Sequence, residues 1–391
     1  MRVSRMRESR RATAYAPRRW VRRVTGVSSG LVLDRKPSGF ASRVKHTMTE
    51  LAPLQTTTQP VKKRVAYLDN ARYWVMLLVV IGHSLTDLVV MDSARGVYTW
   101  IYLFHMPFFV LISGYTARNY VGDQRQVRRM ISTLVVPYLL VELSLQLITK
   151  HYDGSPEHLM PLSPQWLGWF MAALIIYRLT TPIWRTVRYP ITISIVISLL
   201  AGLIEIPNVL ALPKVLGFLP FYVIGMHFSR DRFMALGQWR IRIASAALLA
   251  GSFVVCQLYA SDWTTEWLLW KMRYDEAPLE AGPMDGLAVR AFLIVVGLVL
   301  SLAFLSLVPR RESWTTRFGS RTFYCYLLHG YVIILLDRQF DLWAKLEPYG
   351  AVSVLGCIAA AVVLANLLMT KSVADLFRPV FEPQLTWLFK K

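Results

Sequence analysis

Charge is scarce in this chain, and acidic charge scarcest. Of 391 residues only 17% are charged, and 24 acids face 44 bases. A soluble protein carries about a quarter charged residues, so the deficit excludes an ordinary soluble domain. Cysteine is also rare. Cys256, Cys325 and Cys357 all fall inside apolar stretches and read as small buried hydrophobes, not as a disulfide framework or a CxxC metal site. No apolar core of a secretory signal stands before the first long hydrophobic stretch. Neither an internal repeat nor a fused soluble domain is evident.

What is abundant is hydrophobic surface. Hydrophobic residues make up 54% of the chain, with thirteen tryptophans and eighteen tyrosines, rings that favour a membrane interface. Mean hydropathy is +0.39. The net charge of +20 does not read as a nucleic-acid footprint, because much of it lies between Arg2 and Lys63 and the rest in alternate loops.

Residues 1–64 are polar, Arg-rich and without apolar periodicity, and are expected to be disordered. Either they resemble a transit peptide, or Met48 is the true start and residues 1–47 are not translated. Apolar stretches follow at 73–90, 98–116, 131–149, 166–182, 190–206, 214–228, 243–260, 288–308, 322–336 and 351–369. Most approach the ~20 residues a helix needs to cross a bilayer, the sixth and ninth being short. Gly217, Pro220 and Gly225 predict a broken or kinked sixth helix. The loops alternate in charge. One set carries Arg118, Arg125, Arg128 and Arg129, then Arg185 and Arg188, then Arg230 to Arg242, then Arg310 to Arg321. The other holds Asp92, Asp153, Glu157, Asp262, Glu266, Asp275, Glu276, Glu280, Asp285, Asp341 and Glu347, with few cations. Lys and Arg stay cytoplasmic. The expected fold class is therefore all-α: a polytopic membrane bundle of about ten transmembrane helices with both termini cytoplasmic. In the loop 261–287, Trp263, Trp267 and Trp270 stand at helical spacing. They read as an interfacial helix, or alternatively as a platform on which a sugar stacks.

Ionisable residues inside the stretches carry the functional signal, since placing them in hydrocarbon costs ~2.5 kcal/mol or more. The first stretch is entered through Leu68-Asp69-Asn70-Ala71-Arg72 and reaches His83-Ser84-Leu85-Thr86-Asp87. Eleven residues bring a helix back to within about 20° of one face, so Arg72 and His83 point the same way, roughly 16 Å apart. Asp87, one turn on, is placed to orient the imidazole. His83 and His105 each lie seven residues from the same end of their stretches, and Glu142 and His329 come out at comparable depth. One membrane histidine is ordinarily a hydrogen bond to a neighbouring helix. Four titratable groups in one layer suit proton transfer.

Arg72, ten residues and His83 resemble the signature of the acyltransferase-3 family of multi-spanning enzymes that O-acylate exported glycans and lipids. The likeness continues through Phe104-His105-Met106-Pro107-Phe108-Phe109, Ser113-Gly114-Tyr115, Arg128-Arg129 with Pro137, and Tyr324-Cys325-Tyr326-Leu327-Leu328-His329. The chain departs at Tyr73-Trp74, where the family often has Gly and small apolar residues. Within the family it is most similar to the fucose 4-O-acetylase-like branch. Its opening also resembles actinobacterial enzymes that acetylate mycolate glycolipids. The resemblance makes 65–370 the transmembrane acyltransferase domain and 371–391 a short cytoplasmic tail.

The resemblance implies cytoplasmic acyl-CoA, above all acetyl-CoA, as donor substrate, with no permanently bound cofactor and no metal. It further implies an envelope glycan or glycolipid as acceptor and a multi-pass place in a bacterial plasma membrane, with no nucleic-acid partner. Arg72, Arg118, Arg128 and Arg129 would hold CoA phosphates through guanidinium forks; the last three also read as ordinary positive-inside markers, whereas the motif singles out Arg72. His83 would be general base or transient acyl carrier, and His105 or Tyr115 an oxyanion donor. Asp69, Asp87, Ser113, Glu142 and His329 would support the site. Two other readings remain at this stage: a transporter or flippase of an envelope lipid, suited by a broken helix and intramembrane acids, and a non-catalytic sensor.

Overall fold

The computed structural model describes residues 66–153, 159–383, 385 and 387–389. The expectations for residues 1–64 and for Glu157 lie outside these. Among the described residues there is no strand, and the chain is a bundle of helices.

In chain order these are α1 (Ala66–Ser84), α2 (Asp92–Ala117), α3 (Gln124–Met130), α4 (Val136–Asp153), α5 (Gly168–Thr186), α6 (Pro190–Leu200), α7 (Leu212–His227), α8 (Arg230–Ala235), α9 (Trp239–Leu258), α10 (Pro283–Leu307), α11 (Trp314–Gly319), α12 (Thr322–Phe340), α13 (Leu342–Leu346), α14 (Ala351–Leu368) and α15 (Lys371–Phe381). A π-type segment, Ile131–Val135, joins α3 to α4. Six helical runs are long and apolar enough to cross a membrane: Asp92–Ala117, Gln124–Tyr152, Val209–His227, Trp239–Leu258, Pro283–Leu307 and Ala351–Leu368. α1, α5, α6 and α12 occupy the remaining apolar stretches. Local signals set several starts. Pro190 and Pro283 open α6 and α10, where a missing N–H costs nothing, and Asp123 caps α3 by accepting from the Gln126 N–H at 2.8 Å.

The stretches anticipated these helices, with three corrections. The sixth and ninth are not the short ones. The fifth is, because α6 has eleven residues and then turns, reaching only ~16 Å. Nor is the sixth helix broken at its glycines: α7 is assigned helical throughout, Pro220 included, and the irregular backbone lies at its entry, where Leu210 and Ala211 take φ of 53° and 54°. Gly225 instead lets α2 approach, since a Cβ there would strike the Leu111 carbonyl, just as one at Gly114 would strike that of Tyr222. Small residues allowing backbones to meet are a usual device of membrane helices. Third, 263–270 forms only a short 3-10 turn, Thr265–Leu269, and no α-helix. Trp267 and Trp270 turn inward and are buried, and Trp263 alone is exposed. Neither the interfacial helix nor the sugar platform survives.

α2 runs through the middle, packed on α1, α5, α7, α9, α10 and α14. Hydroxyls tie helices where apolar packing alone is weakly directional: Tyr67 donates to the Leu305 carbonyl at 2.5 Å, Tyr177 to Val215 at 2.6 Å, and Ser198 to Gly217 at 2.7 Å. Cys256, Cys325 and Cys357 are buried and unpaired, as read. Arg290 of α10 is a buried cation that the stretches passed over. Its guanidinium lies 5.0 Å from the Trp270 ring and 5.2 Å from Tyr274 and donates to the Ser198 carbonyl, fastening the 259–282 segment to the bundle.

Candidate active site

α1 carries the site at its two ends. Near its start, Asp69 is buried and holds the Arg72 guanidinium at 2.8 Å. Asn70 donates to the carbonyls of Pro309 and Arg311 at 2.8 and 2.9 Å, and accepts from the hydroxyls of Thr315 and Thr316, both at 2.7 Å. Gly319 of α11 lies against the Asp69 carbonyl, with no room for a Cβ. The Leu68-to-Arg72 motif therefore docks α1 onto the 309–319 segment and aims Arg72.

Arg72 lines a cavity of about 250 Å³ with Ser113, Met76, Phe109, Phe170 and Tyr326. Tyr73 and Trp74 are not among its walls: Tyr73 bonds Asn366 of α14 at 3.0 Å and Trp74 is exposed. The inner wall is aromatic. Phe170 and Tyr326 meet at 5.8 Å, and Tyr326 lies one turn from His329 on α12, ring centroids 6.3 Å apart.

Beyond that wall stand the histidines. His83 and His329 have ring centroids 5.4 Å apart. The His83 Nδ1 lies 3.3 Å from the Tyr102 hydroxyl, and the Tyr102 ring is 4.6 Å from His105. His105 and His329 each place Nδ1 on the carbonyl four residues back, Ile101 at 2.9 Å and Cys325 at 2.8 Å. A carbonyl only accepts, so in each neutral ring Nδ1 carries the hydrogen and Nε2 is a bare acceptor. The His329 Nε2 is buried with no partner among the described residues. His83 is only half-buried.

The fourth titratable group takes another position. Glu142 accepts from the Gln146 side chain at 2.7 Å and the Gln165 N–H at 2.9 Å. It braces the segment before α5, whose Trp166 meets His83 edge-on at 5.0 Å. Trp166 has φ of 23°, a strained conformation for a bulky residue, and such strain collects at working sites. Its indole N–H has no hydrogen-bond partner among the described residues.

Four sequence expectations are corrected. Asp87 does not orient His83, because α1 ends at Ser84 and Asp87 lies exposed in the following 3-10 turn; Tyr102 holds that place. Tyr115 is far from the histidines, stacked on Phe233 at 4.6 Å with Arg118 over its other side at 4.1 Å. His105 in its neutral form has spent its N–H on Ile101 and cannot donate to an oxyanion. Arg118, Arg128 and Arg129 do not line the Arg72 cavity; Arg128 lies 5.4 Å over Phe389 and Arg129 is exposed.

Reading by sequence missed Tyr102, Trp166, Tyr326 and Lys214. Lys214, in the first turn of α7, lies over Trp169 at 5.0 Å and within electrostatic range of His83. A cation at the edge of an apolar stretch was its visible signal. Trp166 carried none, since only the fold of a loop brings it to His83. No group of three or more potential metal ligands occurs among the described residues.

The profile of the acyltransferase-3 family, described as an acyltransferase domain, matches residues 65–370. No curated protein and no solved structure matches the chain. The family match spans well over half of the 391 residues and every histidine of the layer: the chain belongs to the acyltransferase-3 family of membrane proteins.

Proposed function

We propose that this acyltransferase moves an acetyl group from cytoplasmic acetyl-CoA to a hydroxyl of an envelope glycan or glycolipid. The observation that carries the reading is the arrangement along α1. A guanidinium lines a cavity at its Arg-rich end, and a half-buried histidine in ring contact with a second lies ~16 Å further on. In this reading ten spans cross a plasma membrane with both termini and the Arg-rich ends in the cytoplasm, supported by the alternation of loop charge.

Arg72 receives a phosphate of the donor at the cavity mouth, with Arg118, Arg128 and Arg129 adding positive field around it. The pantetheine arm follows α1 past Ser113, between Phe170 and Tyr326, to the histidines. His83, with Nδ1–H on the Tyr102 oxygen, presents Nε2 as base. The acceptor hydroxyl gives its proton to Nε2 as its oxygen attacks the thioester carbonyl. The C–S bond then breaks, and the proton passes from His83 to the CoA thiolate. The negative oxygen of the intermediate falls to the Trp166 indole N–H. His329, its Nε2 unpartnered beside His83, accepts a hydrogen bond as the charge on the pair changes. Transfer through an acyl-His83 uses the same atoms in two steps.

The test is transfer of labelled acetyl from acetyl-CoA by purified protein to envelope lipid and glycan extracts, read by mass spectrometry. A mass increase of one acetyl group on one acceptor class is expected. Absence of any acylated product with well-inserted protein would overturn the reading.

A further inference from the structure

A second cavity, of about 470 Å³, opens between α12, α13 and α14 at the end of the bundle where α1 finishes. Its floor is Ser84, the neighbour of His83 in sequence. Its wall includes Ile333, four residues beyond His329 and so on the same face of α12, ~6 Å along the axis. Neither histidine lines the cavity, which therefore starts about one helical turn beyond the pair. It lies away from Arg72 and is no part of the route from that end.

The lining is almost wholly apolar, with Leu336, Leu342, Leu346, Cys357 and Leu364 on its sides. A water-filled cleft for a free sugar would carry a ring of polar groups, and this one does not. Two hydrogen-bonding groups stand at it. The Ser84 hydroxyl belongs to its lining, and the indole N–H of Trp343 is buried with no partner among the described residues. Around the mouth, Tyr349 and Val352 are exposed, as they would be toward lipid. On the α14 side the wall is cut back to small residues, and a Cβ added at Gly356 would meet nothing within 4 Å. The volume lies within the ~300–1,000 Å³ of ligand sites.

We infer that this cavity holds the alkyl chain of an amphiphilic acceptor, so that the acceptor is a lipid-anchored hydroxyl compound whose head reaches His83 while its tail lies between α12 and α14. The inference rests on the acyl-transfer reading above and selects glycolipid over free glycan. Chain and head have separate recognition. Apolar walls take the chain, and Ser84 and the Trp343 N–H mark the boundary where its polar linkage begins.

The test uses the full chain in nanodiscs and a dodecyl glucoside carrying a diazirine on its chain, photolysed and mapped by peptide mass spectrometry. Label is expected on α12 and α14 peptides around Ile333 and Cys357. Gly356→Phe, which fills the cavity from a position with open space, is expected to cut that label about tenfold at an unchanged melting temperature. It should also lower the ratio of acetyl transfer to dodecyl over methyl glucoside by about tenfold. Label spread evenly over lipid-facing helices, or undiminished by Gly356→Phe, would overturn the inference. Label displaced by palmitoyl-CoA but not by dodecyl glucoside would give the cavity to the donor's tail and overturn it as well. Specific label on a protein that acylates no glucoside would support the chain site and overturn the acyl-transfer reading instead.

Discussion

At the start of α1, Asn70 makes four hydrogen bonds, Asp69 is paired with Arg72, and Gly319 brings a second backbone against the first turn. At its finish, among the described residues, His83 has one hydrogen-bond partner at 3.3 Å, and His329 beside it has a ring nitrogen with none. The first region is saturated, with every polar group of the Asn70 amide answered. The second leaves an acceptor open inside a protein, where an unmade hydrogen bond is costly. Saturation positions a group, and an open valence waits for a substrate. The difference assigns holding to one end of the helix and reaction to the other.

Four substitutions break or sharpen this contrast. The largest effect belongs to Asn70→Ala, which strands two carbonyls and two hydroxyls. It should destabilise the protein by about 3 kcal/mol or more, seen as a lower melting temperature in detergent with transfer lost alongside. His83→Ala should do the reverse. Transfer falls by ~10³-fold or more while the melting temperature barely moves, since Ala suits a helix and the partner lost is a single long hydrogen bond. Trp166→Phe retains the aromatic edge against His83 and removes the N–H. Turnover should fall ~10²-fold with little change in the acetyl-CoA concentration required. A change confined to that requirement would place Trp166 in donor binding instead. Arg72→Lys should be mildest, about tenfold, because a point charge replaces a planar fork. It should appear as a raised acetyl-CoA requirement, measured in initial rates against donor concentration.

Much of this was legible along the chain, and the limits have physical causes. Hydrophobic runs mark helices well, because a span must answer all its backbone groups within itself. The Arg72–His83 relation follows from the 100° step and needs no tertiary knowledge. Extrapolating that step failed at Asp87, because nothing in His83-Ser84-Leu85-Thr86-Asp87 announces that the helix stops at Ser84. Trp267 and Trp270 misled for a related reason. Their spacing mimics a helix, while Trp270 lies under Arg290, a buried cation that draws aromatic faces from a distant loop, and Trp267 packs on Tyr274 of the same cluster. Gly225 looked like a breaker and is a point of close approach, which only the presence of α2 reveals. Trp166 depends on Glu142 holding Gln165, a contact across 23 residues that no periodicity encodes.

The most direct measurement is acetyl transfer by His83→Gln in protein whose melting temperature matches the parent. Gln keeps bulk and can still hydrogen-bond Tyr102, but it neither accepts the acceptor's proton at neutral pH nor carries an acyl group as imidazole does. The account predicts a loss of ~10³-fold or more at every acetyl-CoA concentration. Transfer within a few-fold of the parent would contradict it and remove both roles from His83.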